Sequence, residues 1–294
     1  MKKLKGGEFL KNIAIIGGGP AGLMAAITAA QKYATSASVT LIEKNERIGR
    51  KLMITGKGRC NVTNNCDVDT LIKNTPKNAR FLYSAFSKFT PQDVMNFFEN
   101  NGVPLKTERG NRVFPVSDKA VDIVDALAKA AKKSGVKTIC GEVSHIILNG
   151  DLIEAVALKN GDHIKADAVV LATGGMSYPV TGSTGDGYRI AKALGHTVTD
   201  IKPSLVPLEC HEGFCSRLSG LSLKNVTLSV FEEGTKKPVF SEQGEMLFTH
   251  FGISGPLVMS SSAYMRKMES RRYTAVIDLK PALARLADCF PGRA

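Results

Sequence analysis

The apolar positions near the start of the chain follow a strand–helix–strand pattern. Residues 13–16 form a short continuous apolar run, which is typical of a buried parallel strand. A glycine turn and the alanine-rich stretch 21–33 come next and predict a helix, and residues 38–44 predict a second strand. This order predicts a βαβ unit with a right-handed crossover, so the expected fold class is α/β.

Two further helices are predicted from their start and stop signals. Thr90 is expected to cap a helix that has Pro91 as its first residue and Gly102 as its terminator. Ser117 is expected to cap a longer helix that ends at Gly135. The apolar face of this longer helix is predicted to comprise Val121, Val124, Leu127, Ala128 and Ala131.

Short strands are predicted in quick succession after this helix. The predicted segments are 136–140, 142–148, 152–158 and 168–172, with turns at Asn149-Gly150 and Asn160-Gly161. A short helix is expected at 185–195, which contains the sequence GDGYRIAKALG.

The pattern of apolar and polar residues changes after Pro203. Apolar and polar residues alternate in segments such as 223–231 and 273–279, which predicts a β-rich second domain. We therefore expect two domains, residues 1–202 and residues 203–294.

Composition excludes several classes of protein. With 43% hydrophobic and 22% charged residues, the chain of 294 residues has the balance of a soluble globular protein. No apolar run approaches the roughly 20 residues that a membrane-spanning helix needs. The six cysteines include no CxxC pair, so neither a zinc site nor a disulfide framework is indicated, and a reducing, cytoplasmic setting is expected. We expect no metal.

The net charge of +12 is compatible with a nucleic acid or an acidic surface as partner. However, the basic residues are spread along the chain in pairs, aromatic residues hardly interleave with them, and tryptophan is absent. This distribution favours a basic surface and an anionic small ligand, and it disfavours nucleic acid. The oligomeric state is not indicated.

The first strand–helix turn carries a GxGxxG motif. Gly17 permits a tight turn, Gly19 allows the backbone to approach a pyrophosphate, and Gly22 allows close packing of helix on strand. Glu43 ends the second strand, about 20 residues further on, where an acid accepts hydrogen bonds from a ribose 2′-hydroxyl. Glycine-rich turns are common, but this turn lies between a predicted strand and helix. The motif therefore predicts a site for a dinucleotide with a free adenosine ribose.

A basic segment, IGRKLMITGKGRCNVTN (48–64), follows Glu43 and has no acidic residue. Its glycine spacing is not that of a P-loop. We expect it to fold over the pyrophosphate, where Arg50, Lys51, Lys57 and Arg59 would neutralise phosphate. A solvated basic loop is the alternative.

Two features favour FAD over NAD. The strand cluster 136–172 resembles the small β-meander that flavoprotein Rossmann domains insert before their closing strand. The closing strand, AVVLATGG (168–175), ends in a turn that approaches the cofactor in such proteins. A second GxGxxG is missing, so a separate pyridine-nucleotide domain is not evident.

Five long motifs resemble the BaiN/YhiN-type flavoproteins, a family of NAD(P)/FAD-dependent, aminoacetone oxidase-like FAD-binding oxidoreductases. They are IGRKLMITGKGRCNVTN, RVFPVSDKAVDIVDAL, LATGGMSYPVTGSTGDGYRIAKALGH, PSLVPLE and GEMLFTHFGISGPLVMSSSA, and the match runs from about residue 12 to about residue 280. The resemblance implies a Rossmann-like FAD-binding domain and a β-rich inserted substrate domain. It implies that FAD is held by Gly17, Gly19, Pro20, Ala21, Gly22, Glu43, Lys44, Arg50, Lys51, Gly58, Arg59, Cys60, Asn61, Val143, Ala172, Thr173 and Gly174.

The end of the chain departs from the family pattern. Family members continue beyond this point, complete the insert and return to the FAD domain with a glycine-rich segment near the flavin ring. Residues after about 283 resemble a truncated or frameshifted tail. We therefore expect the second domain to be incomplete, and we expect the last strand of the FAD domain and the flavin-ring contacts to be absent.

The resemblance implies hydride transfer between flavin and a small organic substrate, with NAD(P)H as a possible transient donor. His250, in FTHFG, is the one candidate for proton transfer, and a structural histidine is the alternative. Cys60 lacks a partner at CxxxxC spacing, because Cys66 is one residue too far, so packing is expected of it. The alternative function is a non-catalytic adenine-dinucleotide-binding protein or an inactive fragment.

Overall fold

A computed structural model describes residues 11–282 of the chain. They form two compact units that divide between Thr199 and Asp200. The expectation for the tail after residue 283 lies outside the described residues.

The first unit combines a parallel sheet with helices and two small antiparallel sheets. In chain order its elements are β1 (Lys11–Ile16), α1 (Pro20–Lys32), β2 (Ala37–Glu43), α2 (Arg50–Ile54), β3 (Thr63–Asn64), α3 (Val68–Lys73), α4 (Ala79–Lys88), α5 (Pro91–Asn100), β4 (Leu105–Glu108), β5 (Arg112–Pro115), α6 (Ala120–Lys133), β6 (Lys137–Cys140), β7 (Val143–Asn149), β8 (Leu152–Leu158), β9 (His163–Lys165), β10 (Ala168–Leu171) and α7 (Asp186–Ala193).

The parallel sheet has the strand order β10-β1-β2-β6. Ile13 of β1 pairs with Ala168 on one side and with Val39 on the other, both in parallel register. The predicted βαβ unit and the closing strand are therefore confirmed, and the fold is Rossmann-like.

The two faces of this sheet are covered by different layers. Ile15 and Leu41 are buried in a cluster with Leu23 of α1 and Leu127 of α6. Ile16, the next residue of β1, belongs instead to the cluster built with β7, β8 and β9. Because successive side chains of a strand point to opposite faces, one strand contributes to both cores. Each fully buried aliphatic side chain contributes about 1.5–3 kcal/mol.

Three local predictions need correction. Helix α6 begins after Lys119 with no side-chain cap, and Ser117 Oγ instead accepts a hydrogen bond from the Lys119 amide at 3.3 Å. Val121 and Ala128 are half-buried, whereas the buried face of α6 runs through Ala120, Ile123, Val124, Ala126, Leu127, Ala130 and Ala131.

The predicted meander, residues 136–172, includes strands that belong to the parallel sheet. Strand β6 pairs with β2 in the parallel sheet, and the meander consists of β7, β8 and the unpredicted β9.

Helix α5 begins as its sequence predicts. Thr90 Oγ1 accepts a hydrogen bond from the Asp93 amide at 3.2 Å, and the Asp93 carboxylate accepts one from the Thr90 amide at 2.8 Å. This reciprocal pair is a capping box. Pro91 occupies the first helical position.

The second unit is β-rich, as the alternating pattern predicts. Its elements are β11 (Leu208–Glu209), α8 (Phe214–Arg217), β12 (Ser222–Glu232), β13 (Phe240–Thr249), β14 (Gly252–Ser254), α9 (Pro256–Ser262) and β15 (Tyr273–Asp278). The strands form one antiparallel sheet in the order β11-β14-β13-β12-β15. The helices α8 and α9 were not predicted.

Candidate dinucleotide-binding site

The glycine turn between β1 and α1 is packed tightly on two sides. A Cβ atom at Gly22 would clash with the carbonyl oxygen of Gly17, and one at Gly17 would clash with the carbonyl oxygen of Ala172. Gly17 also has φ of +111°, which side chains rarely adopt. By contrast, a Cβ at Gly19 would meet nothing within 4 Å. The third glycine of the turn, Gly19, therefore faces open space that a ligand can enter.

Helix α1 presents an uncapped N-terminus at this open space. Its N-cap residue, Gly19, has no side chain, its first residue is Pro20, and its first turn has no acidic residue. The first amides of a helix lack intrahelical partners and carry partial positive charge. Pro20 lacks an amide hydrogen, so Ala21 and Gly22 supply the amides nearest the turn. This arrangement suits an anion such as a pyrophosphate.

The Glu43 carboxylate closes the turn from the side of β2. One oxygen accepts a hydrogen bond from the Gly18 amide at 2.6 Å. The other accepts from the backbone and side-chain nitrogens of Asn45, at 2.9 and 2.6 Å. A carboxylate offers about four acceptor positions, and these three bonds leave capacity for a hydroxyl donor. Glu43 thus lies where the motif predicts a ribose contact.

A pocket opens beside Glu43. Its lining residues are Ile16, Gly17, Ile42, Glu43, Lys44, Gly141, Glu142, Val143, Thr173, Gly182, Asp186 and Ile190. Apolar walls with a few polar groups are typical of sites for small molecules. Five of the residues predicted to hold the cofactor line this one pocket, although they come from distant parts of the sequence.

Lys44 is held by two residues at the start of α7. Its Nζ donates to Thr184 Oγ1 and to Asp186 Oδ2, both at 2.6 Å. Burial acts to raise the pKa of Asp186, but the hydrogen bonds from Lys44 and Thr184 outweigh it and the pKa is lowered. The charge of Lys44 is therefore already compensated, and Lys44 shapes the pocket wall.

The basic segment lies against the glycine turn, as predicted. The Gly49 amide donates to the Gly18 carbonyl at 2.9 Å. Arg50 donates to Asn45 Oδ1 at 2.8 Å, and Lys51 lies 3.3 Å from Ser177 Oγ. Within residues 11–282 neither Arg50 nor Lys51 forms an ion pair. These two side chains therefore keep their charge for an anion.

Arg59 is engaged elsewhere. Its guanidinium donates to Glu108 at 2.9 Å and to Asp118 at 3.1 Å, and it lies 4.0 Å from the centre of the Phe114 ring. The hydrogen bond with Glu108 raises the pKa of Arg59. Lys106 binds the same two carboxylates. Arg59 thus fixes the loop to β4 and β5, and a contact with FAD from this residue stays a prediction.

Cys60 and Asn61 border a second pocket. Cys60 is buried, and burial raises the pKa of its thiol while a hydrogen bond with Thr55 opposes the change. The Asn61 amide faces the carbonyls of Thr63 and Val113. The pocket is lined by Pro20, Met24, Leu52, Cys60, Asn61, Val62, Phe89, Val94, Phe97, Phe98, Ile123 and Leu127. It is therefore apolar, and through Pro20 it shares the start of α1. Gly58, with φ of +84°, lies two residues before Cys60 in an exposed turn.

The turn after β10 completes the surroundings of the glycine turn. The Ala172 amide donates to the Ile16 carbonyl at 2.8 Å, which continues the sheet pairing. Thr173 Oγ1 accepts from the Gly187 amide at 3.1 Å, and Gly174 has φ of +74°. The turn after β10 therefore packs beside the glycine motif, and its contact with the cofactor stays a prediction.

The sequence did not predict four polar or glycine residues of the pocket wall, which are Gly141, Glu142, Gly182 and Asp186. It also did not predict Asn45 and Thr184, which form hydrogen bonds with Glu43 and Lys44. One signal was present, because a loop rich in glycine, serine and threonine directly follows the closing strand. Such loops at the ends of strands are common binding positions.

His250 lies in the second unit, between β13 and β14. Its exposed ring packs edge-on against Phe251 with the ring centres 5.0 Å apart. A role in proton transfer stays a prediction. In the part of the chain that the structure describes, no helix is both long enough and apolar enough to cross a membrane.

Comparison with known proteins identifies a family and several curated relatives. A family model described as "HI0933-like protein Rossmann domain" matches residues 11–261. A 3-dehydro-bile acid delta(4,6)-reductase of Clostridium scindens is 31% identical over 280 residues, which cover 93% of this chain and 66% of that protein. A ribosomal RNA dihydrouridine synthase of Haemophilus influenzae is 34% identical over 284 residues, covering 93% of this chain and 65% of that protein.

The chain thus spans slightly less than two thirds of the length of these relatives. Among solved structures, Thermovibrio ammonificans THI4 matches with a TM-score of 0.43 at 17% identity, over 87% of this chain and 79% of that one.

Proposed function

Because the chain belongs to the family of HI0933-like Rossmann-domain proteins, the flavoprotein family that its motifs resemble, we propose that it binds FAD for a flavin-dependent oxidoreductase reaction. The reaction is proposed for the whole protein, to which the Rossmann domain and the β-rich unit belong.

The open space at Gly19 is the observation that carries this proposal. Two glycines of the turn are required by packing, but no described atom lies near the position that a side chain of Gly19 would take. A glycine there serves a ligand that comes close to the backbone. The uncapped helix start and the Glu43 carboxylate stand beside it, as a pyrophosphate and its adenosine ribose require.

The charges and pockets around the turn support FAD in particular. Tight retention of a cofactor at nanomolar concentration needs about 12 kcal/mol, of which a helix terminus supplies about 0.3–1 kcal/mol. Arg50 and Lys51 would add charge neutralisation, and the pocket beside Glu43 would bury the adenine. The apolar second pocket at Pro20 would exclude water from a ring system or an apolar substrate.

Bound FAD would supply the hydride transfer, and the residues of this chain would bind and orient it. The names of the two relatives describe related reductions. In a 3-dehydro delta(4,6) bile acid the double bonds are conjugated to the 3-keto group, and in uridine the C5=C6 bond is conjugated to the C4 carbonyl. We infer that the substrate here is also an alkene conjugated to a carbonyl. A hydride, whose electron pair comes from NAD(P)H, adds to the β-carbon, and a proton from water adds to the α-carbon.

Anaerobic spectroscopy tests this function. Purified protein loaded with FAD is expected to absorb near the flavin maxima, to bleach with NADH or NADPH, and to regain its colour when a conjugated enone is added. The variant Arg50→Gln, which removes the charge and keeps a polar side chain, should take up less FAD. Protein that takes up no FAD would contradict the proposal at its first step.

The non-catalytic alternative gives a different pattern in the same experiment. A dinucleotide-binding protein without catalysis would retain FAD but would not be reduced by either nicotinamide cofactor. That result would leave the site in place and remove the reaction from the proposal.

A further inference from the structure

One stretch of the first unit departs from the charge pattern of the rest of the chain. Residues 70–92 include no acidic residue at all. They include four basic and four aromatic residues: Lys73, Lys77, Arg80 and Lys88, and Phe81, Tyr83, Phe86 and Phe89. Aromatic residues are scarce among the basic residues of the chain as a whole, but in this stretch the two types are interleaved.

The structure leaves the aromatic side chains of this stretch in solvent. Helix α4 packs against α3 but has no fully buried residue. Leu82 and Phe86 point inward and are half-buried. Phe81 is 85% exposed and Tyr83 is 54% exposed. These exposed rings offer a partner apolar contact area that the fold itself does not use.

The basic side chains of the same stretch are also unengaged. Lys73, Lys77, Arg80 and Lys88 are all exposed. None of the four takes part in an ion pair among residues 11–282. With no acidic residue in the stretch to offset them, they give this surface a local positive field.

The outward face of α4 mixes aromatic, hydroxyl and basic groups. Phe81, Ser84 and Lys88 share one face, because residues three, four and seven apart align on a helix. An interfacial membrane helix instead needs a continuous apolar face, and the apolar residues Leu82 and Phe86 are turned inward here. A flat ring between positive charges is the arrangement on which a nucleotide base stacks while its phosphates are neutralised.

We propose that the α3–α4 surface, defined by Lys73, Lys77, Arg80, Phe81, Ser84 and Lys88, binds unpaired RNA. A base stacks on Phe81, and Arg80 and Lys88 contact the flanking phosphates. Phe89, directly after α4, lines the second pocket together with Pro20 of the glycine turn. The surface thus lies along the chain next to the candidate site. The proposal rests on the proposed function in one respect, since a uracil base is one of the conjugated substrates considered there.

Fluorescence anisotropy with labelled oligouridine of about 12 nucleotides tests the surface without any flavin chemistry. Phe81→Ala is expected to raise the apparent Kd by about fivefold or more, whereas Phe81→Trp preserves binding. Lys88→Gln should reduce the slope of log affinity against log salt by about 0.7, measured between about 50 and 200 mM salt. Leu152→Ala, on a residue that is 75% exposed in the hairpin of β7 and β8, and Lys133→Gln on α6 are the matched controls.

Three outcomes would overturn the proposal. The wild-type protein could fail to bind oligouridine, Phe81→Ala could bind like Leu152→Ala, or the protein could prefer vesicles of phosphatidylcholine and phosphatidylserine (about 3:1). Thermal unfolding of each variant checks that the fold is retained, which is expected because Phe81 is exposed. FAD uptake, measured on the same samples by absorbance, separates failure of this surface from failure of the proposed function.

Discussion

Gly19 and Gly22 stand three residues apart in one turn, but the space around them differs. A side chain at Gly22 would clash with the backbone of Gly17, whereas one at Gly19 would meet no described atom. Gly19 also has φ of −79° and ψ of −178°, an extended conformation that any residue adopts. Gly22 therefore serves the fold, and Gly19 is free to serve a ligand.

This difference predicts opposite results for two matched variants. Gly22→Ala should lower the free energy of unfolding by about 1–3 kcal/mol, because it overpacks the contact of helix and strand. Gly19→Ala should cost less than about 1 kcal/mol, as a change of N-cap residue, but should weaken FAD binding at least about tenfold. Urea denaturation and absorbance titration measure the two quantities. Equal loss of stability in both variants would show that Gly19 is also a packing residue.

Glu43 gives a prediction about which part of the cofactor is recognised. Glu43→Gln removes a charged acceptor, and a hydrogen bond to a charged group contributes about 1.5–3 kcal/mol. The Kd for FAD should therefore rise by about 10- to 100-fold, while the weak binding of FMN, which lacks the adenosine ribose, should change little. Glu46→Gln, three residues along and exposed, is the control. Parallel weakening for FAD and FMN would argue against a ribose contact.

At the scale of residues, the sequence predicted the glycines and Glu43 but not their supporting contacts. A motif of fixed spacing encodes local backbone geometry, so the roles of Gly17 and Gly22 could be inferred directly. The bonds from Lys44 to Asp186 and from Arg59 to Asp118 join residues 142 and 59 positions apart. Such contacts depend on the tertiary fold, and no pattern in a single sequence indicates them.

At the scale of elements, the loop between α2 and β3 is fixed to the hairpin of β4 and β5 by a cluster of charges. The hydrogen bond from Arg59 lowers the pKa of Glu108, and the hydrogen bond from Lys106 lowers the pKa of Asp118. Both carboxylates thus have lower pKa values in the folded state than in the unfolded chain, where they are about 4.3 and 3.9. They stabilise the fold above those values, and the contribution is lost as the pH falls through the lowered ones.

Glu108→Gln is therefore expected to destabilise the protein by a constant amount from about pH 6 to pH 8. The difference from the wild type should shrink below about pH 4, as the wild-type carboxylates become protonated. Urea denaturation across this range measures it, with Glu99→Gln on the exposed side of α5 as control. A difference that stays constant into acid would mean that Glu108 acts through packing and not through its charge.

Long elements with a regular apolar pattern were predicted correctly, and several short or irregular ones were not. β1, α1 and β2 were predicted within about two residues, because a buried strand and an alanine-rich helix carry strong local signals. β3, with two residues, and β4 and β5, with four each, are too short for a periodic signal. Helix α4 was missed although it is ten residues long, since its aromatic residues do not form a single buried face.

At the scale of the whole molecule, the two units are expected to behave as separate domains. Residues 196–207 contain no helix or strand and are mostly exposed, which is typical of a protease-sensitive connection. Brief treatment with proteinase K should therefore cut first between residues 196 and 205 and leave the first unit intact, as mass spectrometry would show. Saturating FAD should slow further digestion of that unit, since a ligand that binds the folded form stabilises it. First cuts within the parallel sheet would contradict this division.

At the scale of the whole molecule, the family resemblance added most to what the sequence alone predicted. Periodicity predicted a βαβ unit and a β-rich second part, but the same pattern fits many dinucleotide-binding folds. The long motifs identified the family, and the family model then matched residues 11–261. The division of strands 136–172 between a parallel sheet and a meander was not predictable, because strand pairing is set by tertiary packing.

Isothermal titration calorimetry of the purified protein with FAD, ADP and FMN tests the central claim most directly. The glycine turn, the uncapped helix and Glu43 all address the adenosine diphosphate half of the cofactor. FAD should therefore bind with a stoichiometry of one, ADP should compete with it, and FMN should bind at least about tenfold more weakly than FAD. No heat with FAD, or equal affinity for FAD and FMN, would contradict the assignment of this turn as the cofactor site.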